Sequence, residues 1–370
     1  MITAITNAII YTGEEKIEGK TLLIEHGKIR AVVNSSEIAA GSKILDFSDY
    51  YIAPGLLDLQ IYGSGGFLFA GSPTVGALHH METLLLKQGC TGFFATVGTN
   101  TSEIVEQAID SAKSYRKNSI GNFLGLHLEG PFLNTVRRGA HPANLIRKAT
   151  LAEVKGWVER ADGEIKMITI APELQDEEVI NYLNSQNIVI SAGHSDANFE
   201  EGMQFFENKA FAATHIFNAM PQLHHRDPGL VAAIFKQKPY ASIVADGIHV
   251  KFPMVELAKR EMGNKLFYIT DAVTETKEGV YQHILKDDHY VMPDGTLSGS
   301  CLSMLKAVKN GIKHAGISVE ESLRMASTYP ATLINRQNDL GFIKPDAIAN
   351  LIVFDKDLNL KSTILSGLIH

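Results

Sequence analysis

Residues 188–218 read IVISAGHSDANFEEGMQFFENKAFAATHIFN. The apolar run Ile188–Ser191 leads to Gly193-His194-Ser195-Asp196, then to a stretch with helical apolar spacing, Ala197–Asn208, and then to a second apolar run, Ala212–His215. Strand, crossover of helix length and strand again is the βαβ unit of a parallel sheet. Both runs are followed within a few residues, or ended, by a histidine.

The same rhythm extends in both directions. Apolar runs of strand length occur at Leu56–Ile61, Gly92–Val97, Asn122–Leu128, Lys166–Ile170, Ile188–Ser191, Ala212–His215, Ala241–Ala245 and Leu266–Thr270. Between most of them lie amphipathic segments: Thr74–Gln88, Ser102–Lys117, Glu177–Ser185, Ala197–Asn208 and Pro253–Met262. Eight such units predict an α/β protein built as a (β/α)8 TIM barrel. A doubly wound open sheet is the competing reading, but no run alternates as an edge strand does, which favours closure.

The flanks have a different texture. Ala4–Tyr11, Lys20–Glu25, Lys28–Val33 and Lys43–Phe47 are short β-type runs separated by turn signals, and Ala349–Asp355 near the other end is another. A tail strand this short cannot fold alone. The expectation is a small β-sandwich domain formed by both chain ends, residues 1–53 plus 335–370, around a barrel spanning 54–334. Within the latter, Glu275–Asp288 is a polar insertion, and Cys301–His314 and Val319–Ser327 are helical.

Composition narrows the function classes. Lys plus Arg total 34 against 41 Asp plus Glu, a net charge of −7 over 370 residues, which argues against nucleic acid as a partner. No apolar run reaches the roughly 18 residues of a membrane span. Cys90 and Cys301 are too few for a disulfide framework, and the first residues lack a basic signal-peptide region, so a cytoplasmic enzyme is expected.

In a barrel, chemistry gathers at the C-terminal tips of the strands. Those tips read His127-Leu128-Glu129-Gly130-Pro131, Gly193-His194-Ser195-Asp196, Thr214-His215-Ile216-Phe217-Asn218, Asp246-Gly247-Ile248-His249 and Thr270-Asp271-Ala272. Glu129, His194 and His215 form a His₂Glu set, which suits one catalytic divalent ion with a position left open for water. Zinc fits best, and Fe²⁺, Co²⁺ or Mn²⁺ are also compatible with imidazole and carboxylate. Such an ion lowers the pKa of water towards ~7, and Asp271 is placed to take its proton and pass it to a leaving amine. Any one of these histidines alone reads as a surface or core residue, and Asp271 alone as a helix cap; their joint placement carries the argument. His79 and His80 fall mid-helix and are structural. Arg226 suits a phosphate or carboxylate, with a salt bridge to Asp227 as the plain alternative. His141 is positioned to meet a carbonyl. Ser298-Gly299-Ser300, read as preceding a helix, offers amides to an anion or a sugar hydroxyl, or only caps that helix.

These motifs, with Pro54-Gly55-Leu56-Leu57-Asp58, Leu128-Glu129-Gly130-Pro131-Phe132, Gly139-Ala140-His141-Pro142, Arg226-Asp227-Pro228-Gly229 and Leu297-Ser298-Gly299-Ser300, run in order along essentially the whole chain. In them the sequence resembles the amidohydrolase superfamily, and within it the deacetylases of phosphorylated amino sugars. The resemblance implies hydrolysis of the acetamide of N-acetylglucosamine 6-phosphate to glucosamine 6-phosphate and acetate. It implies Glu129, His194 and His215 as metal ligands and Asp271 with His141 as catalytic residues. Substrate contacts are implied at Ala140, His141, Asn218, Ala219, Arg226, His249, Leu297, Ser298 and Gly299, with Arg226 and His249 on the phosphate. A homodimer or larger homo-oligomer is also implied, with phosphate residues lent across its interface. Where many superfamily members have His-x-His on the first strand, this chain has Gln60-Ile61-Tyr62, so one metal per subunit is expected rather than two. Two alternatives stand beside this one: an amidohydrolase of cyclic amides or nucleobases, which needs no phosphate clamp, and a non-catalytic scaffold, which would not need the four site residues.

Overall fold

The structure is a computed structural model that describes residues 1–207, 212–277 and 279–370. Its centre is an eight-stranded parallel sheet whose strands follow one another in chain order: β1 (Leu56–Ile61), β2 (Cys90–Gly98), β3 (Phe123–Glu129), β4 (Ile165–Ile170), β5 (Val189–Ala192), β6 (Ala212–Ala213), β7 (Tyr240–Ile243) and β8 (Leu266–Tyr268). Every residue of β1 and β2 is buried, as expected where helices cover one face and the barrel interior the other. Helices Val75–Lys87, Leu151–Ala161 and Met304–Ala315 start where Thr74, Thr150 and Ser303 accept a hydrogen bond from the amide three residues on.

β1 and β8 meet at a seam that closes the barrel. Asp271 N donates to Gln60 O at 3.0 Å and Tyr62 N to Ala272 O at 2.9 Å, beyond the end of β8 proper. Deeper in the seam a side chain replaces the ladder: the buried Asp58 carboxylate accepts from Thr270 N and Gln60 N, both at 3.2 Å, and from the Thr270 hydroxyl. Asp58→Ala would strand two amides in a dry interior. It is expected to destabilise the protein by about 2–4 kcal/mol, read as a lower urea midpoint at unchanged m-value, while Asp58→Asn, which keeps an acceptor, costs less.

The chain ends build two sheets over a shared core. One runs Lys28–Val33, Thr21–Glu25, Ile2–Thr6, Lys43–Asp46 and the other Leu368–Ile369, Leu360–Leu365, Leu351–Phe354, Tyr51–Pro54, Ile9–Tyr11, Lys16–Ile17. Leu351–Phe354 pairs antiparallel with Tyr51–Pro54, joining the tail to the strand that leads into β1. Ile5, Leu22 and Ile24 of the first sheet share one cluster with Ile52, Leu351 and Val353 of the second. Gly55, at the turn into the barrel, has no space for a side chain: a Cβ there would lie 2.0 Å from Thr91 Oγ1.

Three expectations need correcting. Strands β6, β7 and β8 stop two residues before their apolar runs do, because Thr214-His215, Val244-Ala245 and Ile269-Thr270 leave the ladder to turn into the barrel mouth. The polar insertion Glu275–Asp288 ends in the strand Ile284–Lys286, which forms a three-stranded antiparallel sheet with His289–Val291 and Leu297–Ser300 beyond it. Ser298-Gly299-Ser300 therefore precedes no helix directly; it is strand, and the helix begins at Met304 behind its own Ser303 cap. The expected helix Ala197–Asn208 is found as Phe199–Glu207, and its last predicted residue lies outside the described residues.

Candidate active site

Four polar side chains converge where the strands end. Glu129 is the last residue of β3, His194 and His215 each lie two residues beyond β5 and β6, and Asp271 lies three beyond β8. His194, His215 and Asp271 have φ of 47°, 35° and 52°, in the left-handed region. Each such non-glycine residue costs on the order of 1–3 kcal/mol, and neighbouring bonds hold it there. His215 N donates to Ser242 Oγ at 2.8 Å, and Asp271 N is tied to β1 as described. The turn swings each side chain off the strand direction and into the mouth.

Glu129 Oε1 lies 3.0 Å from His215 Nε2 and 3.4 Å from His194 Nε2, and the two nitrogens are 3.2 Å apart. Ligands held 2.0–2.1 Å from a tetrahedral zinc sit about 3.3 Å from one another, so the three donor atoms have the spacing of one coordination face. His141 makes a second compact trio possible, since Glu129, His141 and His194 also gather and His141 Nε2 is 3.6 Å from Glu129 Oε2. Tautomers separate the two. His194 Nδ1 is 2.9 Å from the carbonyl of Arg137, which can only accept, so Nδ1 carries the proton and Nε2 keeps its lone pair for a cation. His141 Nδ1 accepts from the amide of Thr99 at 3.3 Å, so its proton is on Nε2, which then has no lone pair to offer. The residues fit a divalent ion on Glu129, His194 and His215. Burial works against the Glu129 carboxylate, yet its contacts with the rings of His141, His194 and His215 hold it well below the usual carboxylate range. His215 is pushed down by burial and raised overall by Glu129 and Asp271. Burial lowers His141 to about 4, so it is neutral at neutral pH.

Gln60 occupies the β1 position where a second-metal histidine was considered. Its Nε2 donates to Glu129 Oε1 at 3.1 Å and to Asp271 Oδ1 at 2.7 Å, bridging the two carboxylates. Asp271 is half-buried, and desolvation, with Glu129 nearby, raises its pKa despite the opposing pull of His215. A carboxylate so shifted is a better proton acceptor near neutrality.

The cavity above these groups holds about 210 Å³, below the roughly 300–1,000 Å³ usual for drug-sized ligands, and so suits one small ring. Ala140, His141, Asn218, Ala219, His249, Leu297, Ser298 and Gly299 line it with the four tip residues. Gly139, at φ 55°, lets that loop approach; a Cβ there would sit 3.3 Å from His194 Cε1. His249 Nδ1 is 2.5 Å from Asp246 Oδ2, which fixes the ring from behind. Arg226 is the exception. It is exposed on the loop after β6 and does not reach the cavity of its own chain, because its neighbours Leu223 to Asp227 are also turned outward.

Residues that the tips alone did not reveal complete the walls. Leu68, Val273 and Tyr281 cluster, with Tyr62 packed against them, into an apolar side. His283, in the polar insertion, is buried, bonded through Nδ1 to Ser298 Oγ at 3.0 Å, and stacked on Tyr281. The signal was present in the alternation Tyr281-Gln282-His283, which puts both rings on one face of an extended chain. His127, two residues before Glu129, instead belongs to a polar layer inside the barrel with Thr169 and Leu59 O.

Residues 51–369 match the amidohydrolase family. The N-acetylglucosamine-6-phosphate deacetylase of Haemophilus influenzae is 30% identical, the alignment covering 98% of each chain. That of Danio rerio is 32% identical over 95% of this chain and 93% of its own. The crystal structure of N-acetylglucosamine-6-phosphate deacetylase from Pasteurella multocida superposes with a TM-score of 0.96 at 31% identity, covering all of both chains.

Proposed function

The chain belongs to the amidohydrolase family, whose members are metal-dependent, and from that premise we propose that it hydrolyses the acetamide of N-acetylglucosamine 6-phosphate. The observation that carries this reading is the ligand-spaced trio of Glu129, His194 and His215 facing the half-buried Asp271 in a cavity sized for one sugar ring. Glu129, His194 and His215 hold one divalent ion, zinc being the best match to two imidazoles and a carboxylate. When bound, the ion supplies Lewis acidity, acidifying water and polarising the acetyl carbonyl.

The chain's own groups do the rest. His141 donates from Nε2 to the acetyl oxygen as negative charge develops there. Asp271 accepts a proton from the water whose oxygen bonds to the acetyl carbon. It then delivers that proton to the sugar nitrogen as the carbon–nitrogen bond breaks, so that acetate and the free amine leave. Gln60 keeps Asp271 and Glu129 in register, and Leu68, Val273 and Tyr281 shield the reacting carbon from bulk water. Ala140, Asn218, Ala219, Leu297, Ser298 and Gly299 hold the sugar, and His249 meets the phosphate.

Because Arg226 faces away from its own cavity, we assign it to the phosphate of a neighbouring copy in a homodimer or larger homo-oligomer. The two cysteines, buried or half-buried and unpaired, agree with a cytoplasmic setting. Acetate release from N-acetylglucosamine 6-phosphate is the direct test, and its absence with metal-loaded protein would overturn the reading. Arg226→Ala is expected to raise KM for the phosphorylated sugar about 10- to 100-fold, the worth of a lost charge-assisted contact, and to leave N-acetylglucosamine little changed. Mixing Arg226→Ala with Asp271→Asn chains should restore activity by rebuilding one intact site per pair. Equal losses on both sugars would count against a phosphate clamp.

A further inference from the structure

Thr99 follows the end of β2, is fully buried, and was singled out by no motif. It meets His141 Nδ1 twice: through its backbone amide at 3.3 Å and through Oγ1 at 2.8 Å. The Tyr281 hydroxyl, from the insertion, donates to Thr99 O at 2.9 Å and lies 3.3 Å from the same Nδ1. A peptide N–H can only donate, so the ring nitrogen it meets is the bare one. With that nitrogen satisfied, the ring proton is on Nε2, on the cavity side, where Glu129 Oε2 is 3.6 Å away. Asn100 Nδ2, bonded to Ala70 O at 3.1 Å, pins the next residue.

We propose that Thr99 is a positioning residue that holds His141 as an Nε2–H donor, and that Tyr281 clamps the Thr99 peptide in the orientation this requires. The consequence is twofold. His141 presents a hydrogen to a substrate carbonyl oxygen, and it is kept from competing with His215 for the cation, since a ring protonated at Nε2 has no lone pair there. The clamp also ties the insertion to the loop after β2, joining two parts of the chain that are 182 residues apart.

The inference rests on the proposed deacetylation for its kinetic arm and on the protein alone for its spectroscopic one. Thr99→Val is expected to lower kcat roughly tenfold, the value of one lost hydrogen bond in the transition state, with KM and metal content nearly unchanged; Thr99→Ser recovers most of the loss. Tyr281→Phe lowers kcat in the same direction. In a His141→Ala background, Thr99→Val should add no further loss, because its effect passes through the ring. On metal-free protein labelled with ¹⁵N-histidine, the resonances assigned to His141 by their loss in His141→Ala should show the proton on Nε2, and Thr99→Val/Tyr281→Phe should mix the two tautomers. A proton on Nδ1 in the wild type, or the same tenfold loss with and without His141, overturns the proposal. A wild type that releases no acetate sinks the functional reading instead, and the spectra still decide the tautomer.

Discussion

Asp271→Asn is expected to bind metal and substrate as the wild type does and to lose about 10²- to 10⁴-fold in kcat, the usual worth of a general acid–base group. The isosteric amide keeps an oxygen for the Gln60 Nε2 bond, 2.7 Å long in the wild type, so the local geometry survives. What disappears is the ability to take a proton from water and to give one to the leaving nitrogen. The wild-type carboxyl is suited to both because burial raises its pKa and so narrows the gap to a water-derived proton. Initial rates of acetate release with metal content measured on the same sample would check this. Turnover within about tenfold of wild type would remove Asp271 from the chemistry.

His215→Ala should have an effect at least as large by a different route. Removing one vertex of the trio leaves Glu129 and His194, and His141 cannot take the place of the missing ligand while its Nε2 carries the proton. Bound metal is expected to drop from about one ion per chain to a small fraction. With it goes several kcal/mol of transition-state stabilisation, a fall in kcat/KM of roughly 10³-fold or more. His141→Ala, by contrast, should keep its ion and lose turnover. Elemental analysis of the two variants after identical purification distinguishes the ligand sets; full metal in His215→Ala with depletion in His141→Ala would reverse the assignment. Two ions per wild-type chain would contradict the reading of Gln60 as a donor bridge.

Much of this was readable from one dimension. The barrel strands are largely buried on both faces, so most of their residues are apolar and their positions in the chain are conspicuous; β1, Leu56–Ile61, was expected at its observed ends. Glu129, His194, His215 and Asp271 were legible because a barrel gathers strand ends by topology, so polar residues after apolar runs are brought together without knowledge of distances. The insertion was less legible. Its strands are short and carry exposed residues such as Ile284 and Leu285, so the apolar signal of a core is weak there.

The amino-acid sequence by itself determined the barrel, the pairing of both chain ends, and which side chains stand at the mouth, since these follow from hydrophobic periodicity and strand order. Only the tertiary structure decided what those side chains do to one another. That His194 can offer a lone pair where His141 offers a proton depends on whether a carbonyl or an amide faces Nδ1, and that Gln60 bridges two carboxylates depends on the β1–β8 seam. Arg226, which the resemblance placed on the phosphate, is exposed and lies outside the lining of its own cavity. The physical reason is one of range: burial is an average over many contacts and leaves its mark along the chain, whereas a proton's position is set by single donors and acceptors about 3 Å away, contributed by residues that the sequence keeps far apart.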